Sequence, residues 1–215
     1  KPVQDIVARI DLPAGAAARH RIDDLALHWD RIVLRGRLAL EAGAPMPLEA
    51  QLEVEPTPDS AAPDWRLDVG AHGPLARLAL QARLVSHGQS LDAEAEIRPD
   101  QRQPLSRLQA QMQSFDLAPF ASGLPTTSLS GRIDAQLDQR SGAVTAQQFR
   151  VQADLVNHQP GRLDRQRIPV QTLRLGALGD LRTPDSGTLE TLRIGLHDGR
   201  DAAGTVLGSG RWSVG

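Results

Sequence analysis

The sequence predicts an all-β fold: a long antiparallel meander that curves so that one apolar face becomes a concave groove, with little helix. Three observations predict it, namely apolar–polar alternation, turn-forming residues between the alternating runs, and a shortage of bulky aromatic residues. Over 48–55 every even position is apolar and every odd position is polar. Because successive side chains of a strand point to opposite faces, this pattern indicates a strand with one dry and one wet face.

The alternation recurs along the chain and defines the predicted elements in order. Segments rich in Gly, Pro, Asp and Ser separate the runs, as at 41–45 and 197–201, and these residues favour turns. Strands of about 6–10 residues joined by short loops are typical of an antiparallel meander. The clearest runs are 76–84, 91–98, 129–138 and 149–155, and the weaker ones are 7–12, 22–27, 32–40, 65–69, 168–175, 189–196 and 206–214.

Three segments need a separate interpretation. Leu108, Ala110 and Met112 fit alternation better than a helical period, so the region from Leu105 is predicted to be strand. We expect a short helical turn at 116–123 and a loop insertion at 56–63. No shift in composition marks a domain boundary, so we expect residues 1–215 to form a single segment.

The apolar residues are too small to suggest a thick core. Aromatic residues make up 3% of the chain, tyrosine is absent, and the dry face consists mainly of Leu and Ala. A sandwich or small barrel usually fills its centre with larger side chains, so this composition favours a curved sheet whose concave face is not filled. Three Gly-Arg pairs, at Gly36, Gly131 and Gly210, lie where such a sheet would bend.

Composition and motifs argue against several function classes. The net charge of −2 and the missing tyrosines disfavour a nucleic-acid surface, and no apolar run reaches the ~18 residues of a membrane span. The chain has no cysteine, and its six histidines do not fall at metal-ligand spacing. Asp23 and Asp24 should point to opposite faces of a strand, and Ser209 lacks the context of a nucleophile elbow. We therefore predict neither an enzyme nor a cofactor or metal.

One compact motif carries a family resemblance. The segments 115–120 (Phe-Asp-Leu-Ala-Pro-Phe), 124–125 (Leu-Pro) and 129–135 (Leu-Ser-Gly-Arg-Ile-Asp-Ala) follow one another. They resemble the TamB-type segments of the AsmA-like superfamily, where "D-L-x-P-F … L-P … L-S-G-x-L-x-A" recurs between alternating strands. The alternating apolar residues of 77–82 and 192–196 are similar to the strands of that family as well.

The resemblance implies a U-shaped, taco-like sheet whose trough holds phospholipid acyl chains. It also implies a long periplasmic protein of a Gram-negative bacterium, anchored in the inner membrane and reaching an Omp85-type partner in the outer membrane. The chain starts at Lys1 without Met and ends at Gly215. We therefore expect an internal fragment of such a protein, with the N-terminal membrane anchor outside it, that conducts lipid and supports outer-membrane biogenesis.

The candidate groove lining is the large aliphatic set of the dry face. From the residues alone, an alternating apolar face more often belongs to a closed core than to a groove, whereas the resemblance favours a groove. A second hypothesis is a β-rich structural module that assists assembly of outer-membrane proteins, such as autotransporters, by strand pairing. The candidate lining residues are Leu38, Leu40, Leu52, Val54, Leu67, Leu78, Leu80, Leu84, Leu91, Ile97, Leu108, Met112, Ile133, Leu137, Val151, Leu155, Leu173, Leu175, Leu192 and Ile194.

Overall fold

A computed structural model describes residues 3–15, 18–57, 64–101, 104–120, 123–139, 147–180 and 183–213. These residues form thirteen β-strands that follow one another in chain order as an antiparallel meander, so the predicted all-β meander is confirmed. The strands are β1 (Val3–Asp11), β2 (Arg19–Trp29), β3 (Ile32–Glu41), β4 (Pro47–Pro56), β5 (Arg66–Pro74), β6 (Leu78–Ser86), β7 (Gln89–Ile97), β8 (Leu105–Phe115), β9 (Leu129–Gln139), β10 (Gln147–Asn157), β11 (Val170–Asp180), β12 (Thr183–His197) and β13 (Ala202–Ser213).

The predictions for the region from Leu105, for 116–123 and for 56–63 compare differently with the structure. The region from Leu105 is strand β8, as alternation predicted. Within 116–123 the structure describes a single turn, closed where Phe120 N donates to Leu117 O at 3.1 Å, and no helix is assigned in its described part. Of the predicted insertion at 56–63, Pro56 ends β4, whereas 58–63 lie outside the described residues. A short 3-10 helix that the sequence did not predict occupies Leu163–Arg165.

The chain divides into two compact units. Unit 1 comprises Lys1–Gly88 and Asp92–Leu105, and unit 2 comprises Gln89–Leu91 and Ser106–Gly215. Within each unit the strand contacts join strands that are neighbours in the chain. The side chains of each unit therefore sort onto an apolar face and a charged face according to the pairing register.

In unit 1 the register aligns the apolar positions of successive strands. Leu34 of β3 faces Val54 of β4, which faces Leu67 of β5, which in turn faces Leu84 of β6. This row of side chains runs across the strands because neighbouring strands are antiparallel and in regular register. A parallel row runs through Leu38, Ala50, Ala71 and Leu80.

Unit 2 shows the same arrangement over a different set of strands. Ile133 of β9 faces Ala153 of β10, followed by Leu175 of β11 and Leu192 of β12. The next row runs from Met112 through Gly131, Leu155, Leu173 and Ile194.

Two of the three glycines expected at bends lie where backbones approach closely. A Cβ atom at Gly36 would overlap the carbonyl oxygen of Gln51, and one at Gly131 would overlap that of Asp154. Gly131 also has φ of +135°, which L side chains rarely adopt. The third, Gly210, has nothing within 4 Å of the corresponding position. The Gly-Arg pattern thus identified two positions where only glycine fits without a clash and one position that has room for a side chain.

Candidate functional site: the aliphatic face

The aliphatic face of each unit is the candidate functional site. Its side chains come from alternate positions of each strand, so no loop or distant segment is needed to assemble it. Alternation places the charged residues on the other face. Arg83 Nε lies 3.5 Å from Asp92 Oδ1 there, while the neighbouring Leu84 and Leu91 occupy the alternate positions. The face is therefore dictated locally by the sequence.

The aliphatic face is only partly removed from solvent. The buried apolar residues of the described chain are few, and most of them lie near strand ends rather than across the centre of the face. A sheet packed against a second layer buries its central row almost completely. Among the described residues, the buried apolar set is Ala18, Val33, Leu78, Leu84, Phe115, Leu137 and Ala153.

The predicted lining residues fall on this face in two groups. All of them are half-buried except Leu78, Leu84 and Leu137, which are buried. Unit 1 contains Leu38, Leu40, Leu52, Val54, Leu67, Leu78, Leu80, Leu84 and Ile97, and unit 2 contains Leu91, Leu108, Met112, Ile133, Leu137, Val151, Leu155, Leu173, Leu175, Leu192 and Ile194.

The aromatic residues lie at the margins of the strands. Phe115 and Phe120 stack with ring centroids 5.2 Å apart at the end of β8, and Trp29 ends β2 with 48% of its surface exposed. The rings of Phe149 and Trp212 cover Gly179 and Gly187, where a Cβ atom would overlap them. The rows between the margins are aliphatic, so the centre of each face offers a uniform hydrocarbon surface.

The charged face of unit 1 carries a series of cross-strand ion pairs. Arg19 Nη2 lies 2.6 Å from Glu49 Oε2, and Arg77 Nη2 lies 2.7 Å from Glu96 Oε2. The hydrogen bond that Arg77 donates to the Glu96 carboxylate raises the pKa of Arg77 above its ordinary value. Since most of these side chains are exposed, each pair contributes little to stability individually. Together they keep the charges of both signs interspersed and solvated.

Each unit has a furrow on this charged face. In unit 1 it measures about 1060 Å³ and passes over Gly70, where nothing lies within 4 Å of a Cβ position. The furrow of unit 2, about 270 Å³, passes over Gly176. Asp23 and Asp24 both line the unit 1 furrow, and both stand between Ile22 and Leu25, which pair with the same-face residues Leu38 and Gly36. The expectation that they face opposite ways is therefore wrong. An irregularity in the pairing of β2 with β3 between Ile22 and Leu25 explains this, because a bulge interrupts alternation.

A cluster of buried and part-buried hydrogen bonds closes one end of the β8–β9 connection in unit 2. Asp116 Oδ1 accepts from Thr127 N at 2.8 Å and from Ala118 N at 3.2 Å. The Thr127 hydroxyl accepts from Leu117 N at 3.0 Å and donates to Phe115 O at 3.1 Å. Asp116 belongs to the motif that carries the family resemblance, and in this structure its carboxylate organises a loop.

Asn157, at the end of β10, connects the neighbouring loops. Its Oδ1 accepts from Ser128 N at 3.0 Å and from Gln159 N at 3.1 Å, and its Nδ2 donates to Val170 O at 3.2 Å. Asn157 is 2% exposed, so these bonds replace water that the side chain has lost. Sequence reasoning did not single out Asn157 or Thr127, since a polar residue beside a predicted turn carries no signal of its burial.

Among the residues that the structure describes, no group of His, Asp or Glu side chains could hold a metal ion, and no helix is long and apolar enough to cross a bilayer. Comparisons with protein-family models, with curated proteins and with solved structures gave no match.

Proposed function

We propose that the chain is a lipid-binding and lipid-conducting segment of a TamB-like bridge between the inner and outer membranes. In this proposal the sheet curves into a U-shaped trough, and phospholipid acyl chains lie against its aliphatic face. The parent protein is periplasmic, anchored in the inner membrane, and reaches an Omp85-type protein in the outer membrane.

The energetics of moving a lipid through water define what such a segment must supply. Each exposed CH₂ group costs ~0.8 kcal/mol, so a sixteen-carbon tail costs on the order of 13 kcal/mol. An aliphatic surface similar to the bilayer interior offsets most of that cost. A surface without deep pockets or charges also avoids a minimum that would trap the lipid.

The observation that carries the proposal is the half-buried state of the aliphatic rows in each unit. Leu52, Leu80, Ile133 and Leu175 occupy central positions of their strands and remain partly accessible. A contiguous apolar surface of this kind is uncommon on a monomeric soluble protein unless something binds there. A mobile hydrocarbon chain satisfies such a surface without needing directional contacts.

Photocrosslinking tests the proposal. A photoreactive amino acid at Leu80, Ala95 or Ile133 should crosslink to phospholipid when the protein is expressed in a Gram-negative periplasm, as measured by mass spectrometry. The same probe at Gln81 or Arg132, one position away on the charged face, provides the matched control. Equal lipid labelling from both faces, or labelling by protein alone at Leu80, would exclude the trough.

Charged substitutions on the aliphatic face provide a functional test of the same proposal. Leu80→Asp and Ile133→Asp place a carboxylate on the aliphatic face, and we expect each to reduce co-purifying phospholipid severalfold. Gln81→Asp changes the opposite face and should leave lipid unchanged. Circular dichroism confirms that each variant retains the sheet. Retention of lipid by both aliphatic-face variants would overturn the proposal.

A second candidate function is strand pairing with an outer-membrane protein. The favouring observation is the exposure of apolar residues on the first and last strands, where Ile6 is 65% and Leu207 is 71% exposed. Strands with free edges can accept an added strand through backbone hydrogen bonds. Crosslinks from β13 to unfolded outer-membrane protein, with none from Leu80 to lipid, would favour this candidate.

A further inference from the structure

His20 is an ionisable residue in an aliphatic row of unit 1. It alternates along β2 with Arg19 and Arg21 and stands opposite Leu40 of β3. Leu40 in turn faces Leu48 of β4. The imidazole therefore shares its face with aliphatic side chains near one end of the strands.

The charged groups nearest to His20 in the register lie on the opposite face. Arg19 pairs with Glu49 at 2.6 Å, Arg19 stands opposite Glu41, and Arg21 stands opposite Asp11. Since alternate side chains of a strand point to opposite sides, these groups do not supply a partner to the imidazole.

The ring has a hydrogen-bonding nitrogen without a partner. Nδ1 of His20 is buried and makes no hydrogen bond with the residues that the structure describes, although His20 as a whole is half-buried. A buried polar atom without a partner destabilises the folded state, and native structures rarely keep one without a reason. A half-turn of the ring exchanges the positions of Nδ1 and a carbon atom, so the nitrogen can leave its buried position.

We propose that His20 binds the anionic phosphate of a lipid head group whose tail lies along the neighbouring aliphatic rows. This assignment rests on the proposed function, because it presumes that acyl chains occupy the aliphatic face. A phosphate oxygen accepts a hydrogen bond from the imidazole, and the aliphatic surroundings exclude competing water. His20 is thus a specificity-determining residue that selects anionic over neutral amphiphiles.

The test compares dodecyl phosphate with dodecanol, which has the same tail and no charge. The wild-type chain should bind dodecyl phosphate more tightly by calorimetry, and His20→Leu should weaken that binding about tenfold while leaving dodecanol unchanged. His20→Gln, which keeps a donor, should recover part of the selectivity. Inorganic phosphate alone should not compete, because it lacks the tail; competition would assign the site to free phosphate and overturn the lipid assignment.

Stability separates this role from a structural one. Because His20→Leu replaces an unpartnered nitrogen by hydrocarbon, we expect its thermal midpoint to be equal to or above that of the wild type. A lower midpoint with unchanged dodecyl phosphate affinity would mean that His20 is structural and would overturn the inference. Failure of the wild-type chain to bind either amphiphile would instead overturn the proposed function, and equal wild-type binding of the two would overturn only the head-group assignment.

Discussion

Unit 1 and unit 2 share an aliphatic face but use their polar groups differently. In unit 1, exposed ion pairs such as that between Arg19 of β2 and Glu49 of β4 connect strands on the charged face. Unit 2 contains Thr127 and Asn157, whose buried side chains bond the backbone of its loops. Exposed pairs are weak and screened by salt, whereas buried hydrogen bonds are costly to break. Unit 2 carries exposed ion pairs as well, such as Arg174 with Asp154, so the comparison teaches that its buried loop bonds add to interactions that both units share.

The largest effect is expected from Asn157→Leu in unit 2. The substitution removes the acceptor of Ser128 N and Gln159 N and the donor to Val170 O. Leaving such groups unsatisfied costs about 2–4 kcal/mol in total. Urea unfolding followed by tryptophan fluorescence measures the loss, with exposed Gln152→Ala as the control. A change below about 0.5 kcal/mol would contradict the importance of this buried site.

A smaller effect is expected from adding one methyl group to a glycine, and its size should differ between the units. Gly131→Ala in unit 2 meets the Asp154 carbonyl and a φ of +135°, so we expect a loss of about 1–3 kcal/mol. Gly70→Ala in unit 1 enters open space and should change stability by less than about 0.5 kcal/mol. Equal losses in urea unfolding would show that the steric difference is unimportant.

The smallest effect is expected at the ion pairs of unit 1. Glu49→Gln removes the charge opposite Arg19, whose side chain is 48% exposed, and should cost about 0.2–1 kcal/mol at low salt. At about 1 M NaCl the difference should disappear because the charges are screened. A loss that persists at high salt would indicate packing by the Glu49 side chain instead of an electrostatic contribution.

Much of the fold could be predicted from the sequence because it depends on the local pattern of residues. Alternation predicted strand β8 over a helix, and it predicted that Leu52 and Leu80 share a face, since the period of two depends on neighbouring residues only. The Asp23-Asp24 interpretation was wrong because a bulge breaks that period at a place that the sequence does not mark.

The polar features of the site could not be read in the same way. Thr127 and Asn157 resemble ordinary turn residues, and their burial depends on loops that meet through contacts such as Thr126 N to Gln166 O at 2.8 Å. His20 continues the phase of its strand, but the sequence gives no sign that its Nδ1 lacks a partner. These properties arise from three-dimensional packing, which periodicity does not encode.

Pairing of the strands in chain order has a consequence for how such a chain can change in length. Hairpins such as β2–β3 and β6–β7 close short loops, so their formation costs little entropy. Deleting or duplicating one whole hairpin, for example β3 with β4, would leave the orientation of every other strand unaltered. A gene encoding this architecture could therefore grow or shrink by pairs of strands while its dry side remained continuous, much as solenoid arrays vary by whole repeats.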